Sequence, residues 1–147
     1  MKKGIIAFAA VIALGLTVGC GSKSKTLECT KSEDQSGVSL KQTVKANFKG
    51  NNVEKMTIDM DAKLPEAYKS YKSTYIKAFE SSFASYKKLK GVTVKVSETS
   101  DGVNIKLTAD LKKMDDDAKD KLDIVDTKAS YNKSIKELEG EGYKCKK

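Results

Sequence analysis

The stretch VSLKQTVKANFKGNNVEKMTIDMDAKL, residues 38–64, determines the fold class of this chain. On both sides of Gly50-Asn51-Asn52, apolar residues occupy alternate positions, with polar and charged residues between them. A period of two is typical of a strand with one dry face and one solvated face, and a short glycine-containing break joins two such strands. The stretch therefore predicts a long antiparallel hairpin.

A second alternating segment covers residues 92–111, with Ser100-Asp101-Gly102 as the predicted turn. The strings MTIDMDAKLPEAYKS and VNIKLTADLKKMDDDAKD are weakly alike, and each leads from a strand into a helix, so we predict a ββα-ββα order. The expected fold is α+β. It is an antiparallel sheet of two long hairpins packed on one long amphipathic helix, with short C-terminal helices and terminal strands.

The long helix is predicted over residues 65–90. Pro65 suits a first helical turn, and aromatic side chains then recur at steps of three and four until Gly91. Such a stripe could line a ligand groove. We expect it instead to pack on the dry faces of both hairpins, because no other segment is long enough to cover them.

The N-terminus has the three parts of a bacterial secretory signal peptide. Two lysines precede an uncharged run over residues 4–18, shorter than the ~20 residues of a membrane span, and small residues precede Cys20. The boundary Thr17-Val18-Gly19-Cys20 resembles a lipoprotein lipobox, with Thr17 where an aliphatic residue is usual. We predict a cleaved signal peptide over residues 1–19, lipid on Cys20, a flexible tether over 20–26 and one domain over 27–147.

Two further cysteines, Cys29 and Cys145, lie near the ends of the predicted domain. An exported protein folds in an oxidising compartment, where a remaining pair of cysteines indicates a disulfide. Their spacing excludes a C-x-x-C redox motif, and a cysteine pair without histidine makes a poor metal site. We therefore predict that Cys29 pairs with Cys145.

The composition argues against several classes of function. All 28 basic residues are lysine, and the chain has no histidine, arginine or tryptophan. Histidine is the commonest general base and metal ligand, and arginine is the usual bidentate clamp for phosphate and guanine. The net charge is +8, and the lysines are spread between acids rather than gathered in one block. This pattern indicates a solvated, weakly basic surface, and export argues against a nucleic-acid partner.

Three patterns are candidates for chemistry, and each has a structural interpretation. Asp115-Asp116-Asp117 has no EF-hand spacing around it and suits a helix N-terminus, so we expect no metal there. Asp59 and Asp61 share a strand face and could form an acid–base pair, but cross-strand pairing with Lys41 and Lys45 of the neighbouring strand is the favoured interpretation. The Ser-x-x-Lys motif of penicillin-binding enzymes occurs as often as chance predicts, at Ser22, Ser85 and Ser130.

Several strings together resemble the YehR-like family of small bacterial lipoproteins. They are Cys20 with its tether, the LECTKS start, the hairpin VKANFKGNNVEKMTIDMDAKL, KMDDDAKDKL and the ELEGEGYKC end, and the resemblance covers roughly residues 20–146. It implies a lipoprotein with an α+β domain and matching cysteines at Cys29 and Cys145. It implies no activity, because the family is built from a domain of unknown function.

We therefore expect an uncharacterised lipoprotein at the extracytoplasmic face of the bacterial membrane, with no cofactor and no catalytic site. Its domain is expected to be a binding or structural module that contacts anionic wall polymer or lipid headgroups through exposed strand lysines. The candidate lysines are Lys41, Lys45, Lys95 and Lys106. The alternative is an envelope enzyme that uses carboxylate or serine chemistry without a recognisable motif.

Overall fold

The computed structural model describes residues 23–35, 37–122, 124 and 128–146 of the 147-residue chain. The predicted signal peptide over residues 1–19 and the predicted lipid attachment at Cys20 lie outside the described residues. Within them, six antiparallel strands form one sheet with the order β4-β5-β3-β2-β1-β6. The strands are β1 Ser24–Gln35, β2 Val38–Lys49, β3 Asn52–Lys63, β4 Val92–Glu98, β5 Gly102–Asp110 and β6 Lys144–Cys145.

Both predicted hairpins are present, as β2–β3 and β4–β5, and the pairing of β3 with β5 joins them into one sheet. Their alternating apolar side chains form the dry face of the sheet. The buried members include Val44, Ala46, Phe48, Met56, Ile58, Val92, Val94, Val103, Ile105, Leu107 and Ala109. The period of two therefore identified the side of each strand that enters the core.

The first strand begins before the predicted start of the domain at residue 27. β1 covers 12 residues and pairs with β2 along its whole length, from Ser24 opposite Lys49 to Gln35 opposite Val38. Residues 24–26, predicted as part of the flexible tether, therefore belong to the sheet. The alternation in β1 is weak because Leu27 and Cys29 are its buried apolar residues. Main-chain hydrogen bonds to β2 need no apolar side chains and extend the strand in both directions.

The single long helix predicted over residues 65–90 is wrong. The segment forms a 3₁₀ turn Glu66–Tyr71, helix α1 Lys72–Ser82 and a second 3₁₀ turn Tyr86–Lys88. Serine is a weaker helix former than alanine or leucine, and α1 ends in the serine-rich run before Phe83. Phe83 then enters the core, whereas Tyr68 and Tyr71 remain 45% and 57% exposed. The aromatic stripe is therefore only partly core.

Two helices share the dry face, so no single helix covers both hairpins. Helix α1 contacts β4 and β5, and Tyr75, Ile76 and Phe79 are its partly buried apolar residues. Helices α2 Asp116–Lys121 and α3 Tyr131–Gly140 follow β5. Helix α3 packs on β1 and β6, and the ring of its first residue, Tyr131, meets Phe48 edge-on at a centroid distance of 5.5 Å. The element order is therefore β-ββα-ββα-αβ rather than two ββα units alone.

A disulfide links the two ends of the described chain. Cys29 of β1 lies directly opposite Cys145 of β6, with a Cα–Cα distance of 4.0 Å and the sulfur atoms bonded at 1.99 Å. β6 pairs with β1 through two residue pairs only. The disulfide therefore holds a strand that the sheet alone holds weakly.

The double variant Cys29→Ser/Cys145→Ser is expected to unfold more easily than the wild type. The bond closes a loop of 116 residues in sequence, so its loss should lower the free energy of unfolding by about 2–5 kcal/mol. Urea unfolding followed by circular dichroism measures the difference. The wild type treated with reductant is the matched control and should shift by a similar amount. A change of less than about 0.5 kcal/mol, the usual scatter of a surface substitution, would contradict the prediction.

Candidate functional site

The face of the sheet opposite the core is polar and open. Helices α1 and α3 pack their apolar side chains on the dry-face core, so the outward side chains of β1–β5 meet solvent. We call this surface the polar face. Its central residues are Glu28, Thr30, Lys41, Thr43, Lys45, Thr57, Asp59, Asp61, Thr93, Lys95, Asn104, Lys106 and Thr108. The strand registers align them in rows that cross the sheet.

All four predicted contact lysines lie on the polar face, on three different strands. Lys45 forms an ion pair with Glu28 at 2.9 Å, and Lys106 lies 3.5 Å from a carboxylate oxygen of Asp59. Lys95 is opposite Lys106, and Lys41 is opposite Asp61 in the register. Two of the four therefore have their charge compensated within the face. The surface is one of mixed sign rather than a basic platform.

Asp59 and Asp61 come together with a third residue that the sequence analysis missed. The Nδ2 atom of Asn104 donates hydrogen bonds to the Oδ1 atoms of both carboxylates, at 2.6 Å for Asp59 and 2.7 Å for Asp61. Asn104 lies on β5, and its proximity follows from the β3–β5 register. The alternation of β5 placed Asn104 on the outward face, but only the pairing of the two hairpins shows which residues it meets.

Glu28 is the most strongly perturbed acid among the described residues. Hydrogen bonds from Lys146 and then from Lys45 lower the pKa of its carboxyl from its usual 4.5 to about 2. Lys146 follows the disulfide-bonded Cys145, and its backbone N–H donates to the Glu28 carbonyl at 2.9 Å. Glu28 therefore ties the C-terminal segment to the polar face by charge as well as by main-chain bonding.

A shallow groove of about 440 Å³ lies at the end of the polar face formed by the β1–β2 and β4–β5 turns. Its polar groups are mixed: four carboxylates, two lysine ammonium groups and several hydroxyls. Lys63 and Asp101 pair across it at 3.1 Å, and this contact lowers the pKa of the Asp101 carboxyl. The lining is Ser32, Glu33, Asp34, Ser39, Leu40, Lys41, Asp61, Ala62, Lys63, Thr99 and Asp101.

The aspartate run has a structural role, and two serines of the Ser-x-x-Lys motifs precede helical segments. Asp115 caps α2 by accepting from the Ala118 N–H at 2.9 Å, and Asp116 and Asp117 pair with the following lysines of the same helix. Ser130 precedes α3, Ser85 precedes a 3₁₀ turn, and Ser22 lies outside the described residues. Within the described part of the chain, no three side chains of the metal-binding types come together.

No helix among residues 23–35, 37–122, 124 and 128–146 is long and apolar enough to cross a membrane.

Comparisons with solved structures identify the fold. The chain is similar to the NMR structure of the E. coli YehR protein, with 20% sequence identity over 86% of this chain and 93% of that one, at a TM-score of 0.58. The chain shares its fold with YehR. It is also similar to the NMR structure of a protein from Streptococcus pneumoniae TIGR4, with 15% identity over 91% and 92% of the two chains, again at 0.58.

No protein-family model matches the chain, and neither does any curated protein sequence. The likeness to the YehR structure supports the α+β fold that the sequence resemblance to the YehR-like family implied. At 15–20% identity it carries no activity, ligand or partner to this chain.

The variant Glu28→Gln is expected to lose stability at neutral pH. The pKa of Glu28 is lower in the folded state, so its contribution is complete above its unfolded pKa of about 4.5 and disappears as the pH falls towards 2. At pH 7 the variant should unfold at a lower urea concentration than the wild type. The difference should shrink between pH 4.5 and pH 2. Glu139→Gln, on an exposed carboxylate of α3, is the control and should follow the wild type at every pH. A pH-independent difference would show that packing, not charge, is lost.

Proposed function

We propose that the protein is a lipoprotein of the bacterial envelope, held at the extracytoplasmic face of the membrane by lipid on Cys20. Its N-terminal sequence supports this location through the order of lysines, short apolar run and small-residue boundary. The Cys29–Cys145 disulfide agrees with it, because such bonds persist in oxidising compartments. The YehR-like fold is consistent with membership of the YehR-like lipoproteins.

We further propose that the folded domain is a non-catalytic binding or structural module. The observation that carries this proposal is the open polar face, whose charged groups are of mixed sign across β1–β5. Such a surface suits broad, weak contact with an extended polar partner better than enclosure of a small substrate. Anionic wall polymer is a fitting partner for the exposed Lys41 and Lys95, which form no ion pair with the described residues.

One arrangement favours a second candidate function. Asn104 holds Asp59 and Asp61 side by side, and paired carboxylates are the groups that acid–base hydrolases use. In this alternative the groove beside Asp61 receives the substrate. The amide of Asn104 donates to both carboxylates and Lys106 pairs with Asp59, which is the arrangement expected of a structural network, so we favour the binding module.

The anchor predicts the behaviour of Cys20→Ala. Wild-type protein extracted from membranes should begin with a diacylglyceryl cysteine by mass spectrometry, because cleavage before Cys20 follows lipid attachment. The variant should accumulate as an uncleaved precursor or leave the membrane fraction. Cys29→Ala/Cys145→Ala is the matched control, since it removes cysteines without touching the boundary, and it should stay lipidated. An unmodified Cys20 in wild-type protein that retains residues 1–19 would contradict the proposal.

The binding module predicts salt-sensitive contact with anionic wall polymer. The variant Lys41→Gln/Lys95→Gln should weaken binding about tenfold at low salt, and both proteins should bind poorly near 0.5 M salt, where the screening length is only about 4 Å. Lys77→Gln/Lys136→Gln removes the same charge from α1 and α3 and should bind like the wild type. Salt-insensitive binding, or turnover of a substrate that Asp61→Asn abolishes, would favour the enzyme instead.

A further inference from the structure

At one end of the sheet, lysines outnumber carboxylates among the described residues. This end comprises the start of β1, the β2–β3 turn and the segment that leaves β5. Ser24 lies opposite Lys49, the Gly50 N–H donates to the Lys23 carbonyl, and Asn52 bridges to Lys128. We call it the basic end. Its exposed lysines are Lys23, Lys25, Lys49, Lys55, Lys112, Lys113 and Lys128.

Few carboxylates oppose this charge. Glu54 pairs with Lys112 and Asp110 with Lys113, and these two are the described acids of the strand ends. When the residues of the following helix α2 and its cap are included, the basic end has nine lysines and six carboxylates among the described residues. The carboxylates of α2 with its cap are Asp115, Asp116, Asp117 and Asp120, beside Lys119 and Lys121.

In the part of the chain that the structure describes, the opposite end of the sheet has no such excess. It comprises the β1–β2 turn, the β4–β5 turn and the chain after β3, and it contains the groove. Six carboxylates there, Glu33, Asp34, Asp61, Glu66, Glu98 and Asp101, stand against five lysines, Lys31, Lys41, Lys63, Lys69 and Lys72. Among the described residues, charge is therefore polarised along the strands.

Chain length determines which end lies near the proposed anchor. Cys20 and Ser24 are four residues apart, so their Cα atoms can be separated by at most about 14 Å at up to ~3.6 Å per residue. β1 then runs 12 residues away from that point, which is about 40 Å at ~3.4 Å per residue. A lipid on Cys20 would thus hold the basic end within reach of the headgroups and keep the groove far from them.

We infer that the membrane-bound protein rests on anionic lipid headgroups with its basic end and directs its groove away from the bilayer. This inference rests on the proposed lipid anchor. The partner is the headgroup layer itself, because negative lipid attracts lysines that lie within a screening length of its surface. The contact adds a second, electrostatic attachment to the acyl chains and leaves the polar face for other partners.

Lysine footprinting of the lipidated protein tests the orientation. The protein is reconstituted in vesicles of phosphatidylcholine alone and in vesicles with about one-third phosphatidylglycerol, then treated with a water-soluble acetylating ester and read by mass spectrometry. Lys23, Lys49 and Lys55 should react about threefold more slowly on the anionic vesicles, because their negative surface potential raises the local proton concentration by about that factor. Lys41, Lys63 and Lys69 at the opposite end are internal controls and should react equally on both. About 1 M salt should remove the difference.

The failures of the two proposals are distinguishable in the same experiment. A non-lipidated N-terminal peptide would overturn the anchor, on which the orientation depends. A lipidated peptide with equal rates at both ends, or slowing confined to Lys41, Lys95 and Lys106 of the polar face, would overturn the orientation alone. Lys23→Gln/Lys49→Gln/Lys55→Gln should abolish the slowing at Lys25 and Lys112. The charge-matched Lys77→Gln/Lys136→Gln/Lys144→Gln should retain it, and the opposite pattern would also overturn the inference.

Discussion

The pairing of β3 with β5 is the contact on which the rest of the structure depends. It joins two hairpins that are separated in sequence by residues 64–91, and it brings their dry faces into one surface. The contact is close where β5 begins: a Cβ atom on Gly102 would lie 1.8 Å from the Ala62 carbonyl oxygen. Only glycine permits that approach, so the residue that ends the β4–β5 turn also allows the two hairpins to meet.

Local patterns in the sequence predicted the parts of the fold that depend on local physics. The alternation over Val38–Lys49 and Asn52–Lys63 identified both strands and their buried sides, because burial on one face imposes a period of two. The extent of β1 could not be read in this way. Its outer residues are polar on both sides, and they join the sheet because β2 offers a row of unpaired main-chain groups. The predicted long helix failed for a local reason, because α1 ends in the serine-rich run before Phe83. Phe83 is the buried residue of that stripe between 65 and 88.

The candidate site was predictable only in part, for the same reason. Lys41, Lys45, Lys95 and Lys106 were assigned to the solvated face from alternation alone. Their partners were not: Lys45 pairs with Glu28 rather than with the aspartates of β3. The meeting of Lys106 with Asp59, and of Asn104 with both aspartates, depends on a register between segments some 45 residues apart. Mixed charge has a further consequence for an open sheet. Carboxylates and ammonium groups that pair across strands keep the face hydrated, and Lys95 on the edge strand β4 disfavours pairing with a second sheet.

If lipid on Cys20 anchors the protein, a pulling force on that lipid is transmitted to the domain through β1. A force along β1 acts parallel to the strand and perpendicular to its hydrogen bonds, so the 12 residue pairs with β2 would bear it together rather than one after another. Cys29 lies midway along β1, and its disulfide to Cys145 would transmit part of the same force to the C-terminal segment. The charge of Glu28 reinforces that connection from the other face through Lys45 and Lys146. Four contacts of three kinds, namely the ladder, the disulfide and two ion pairs, therefore converge on the strand that follows the predicted lipid by four residues. This concentration gives a physical reason for a long β1 in a chain whose first strand contributes little apolar surface to the core.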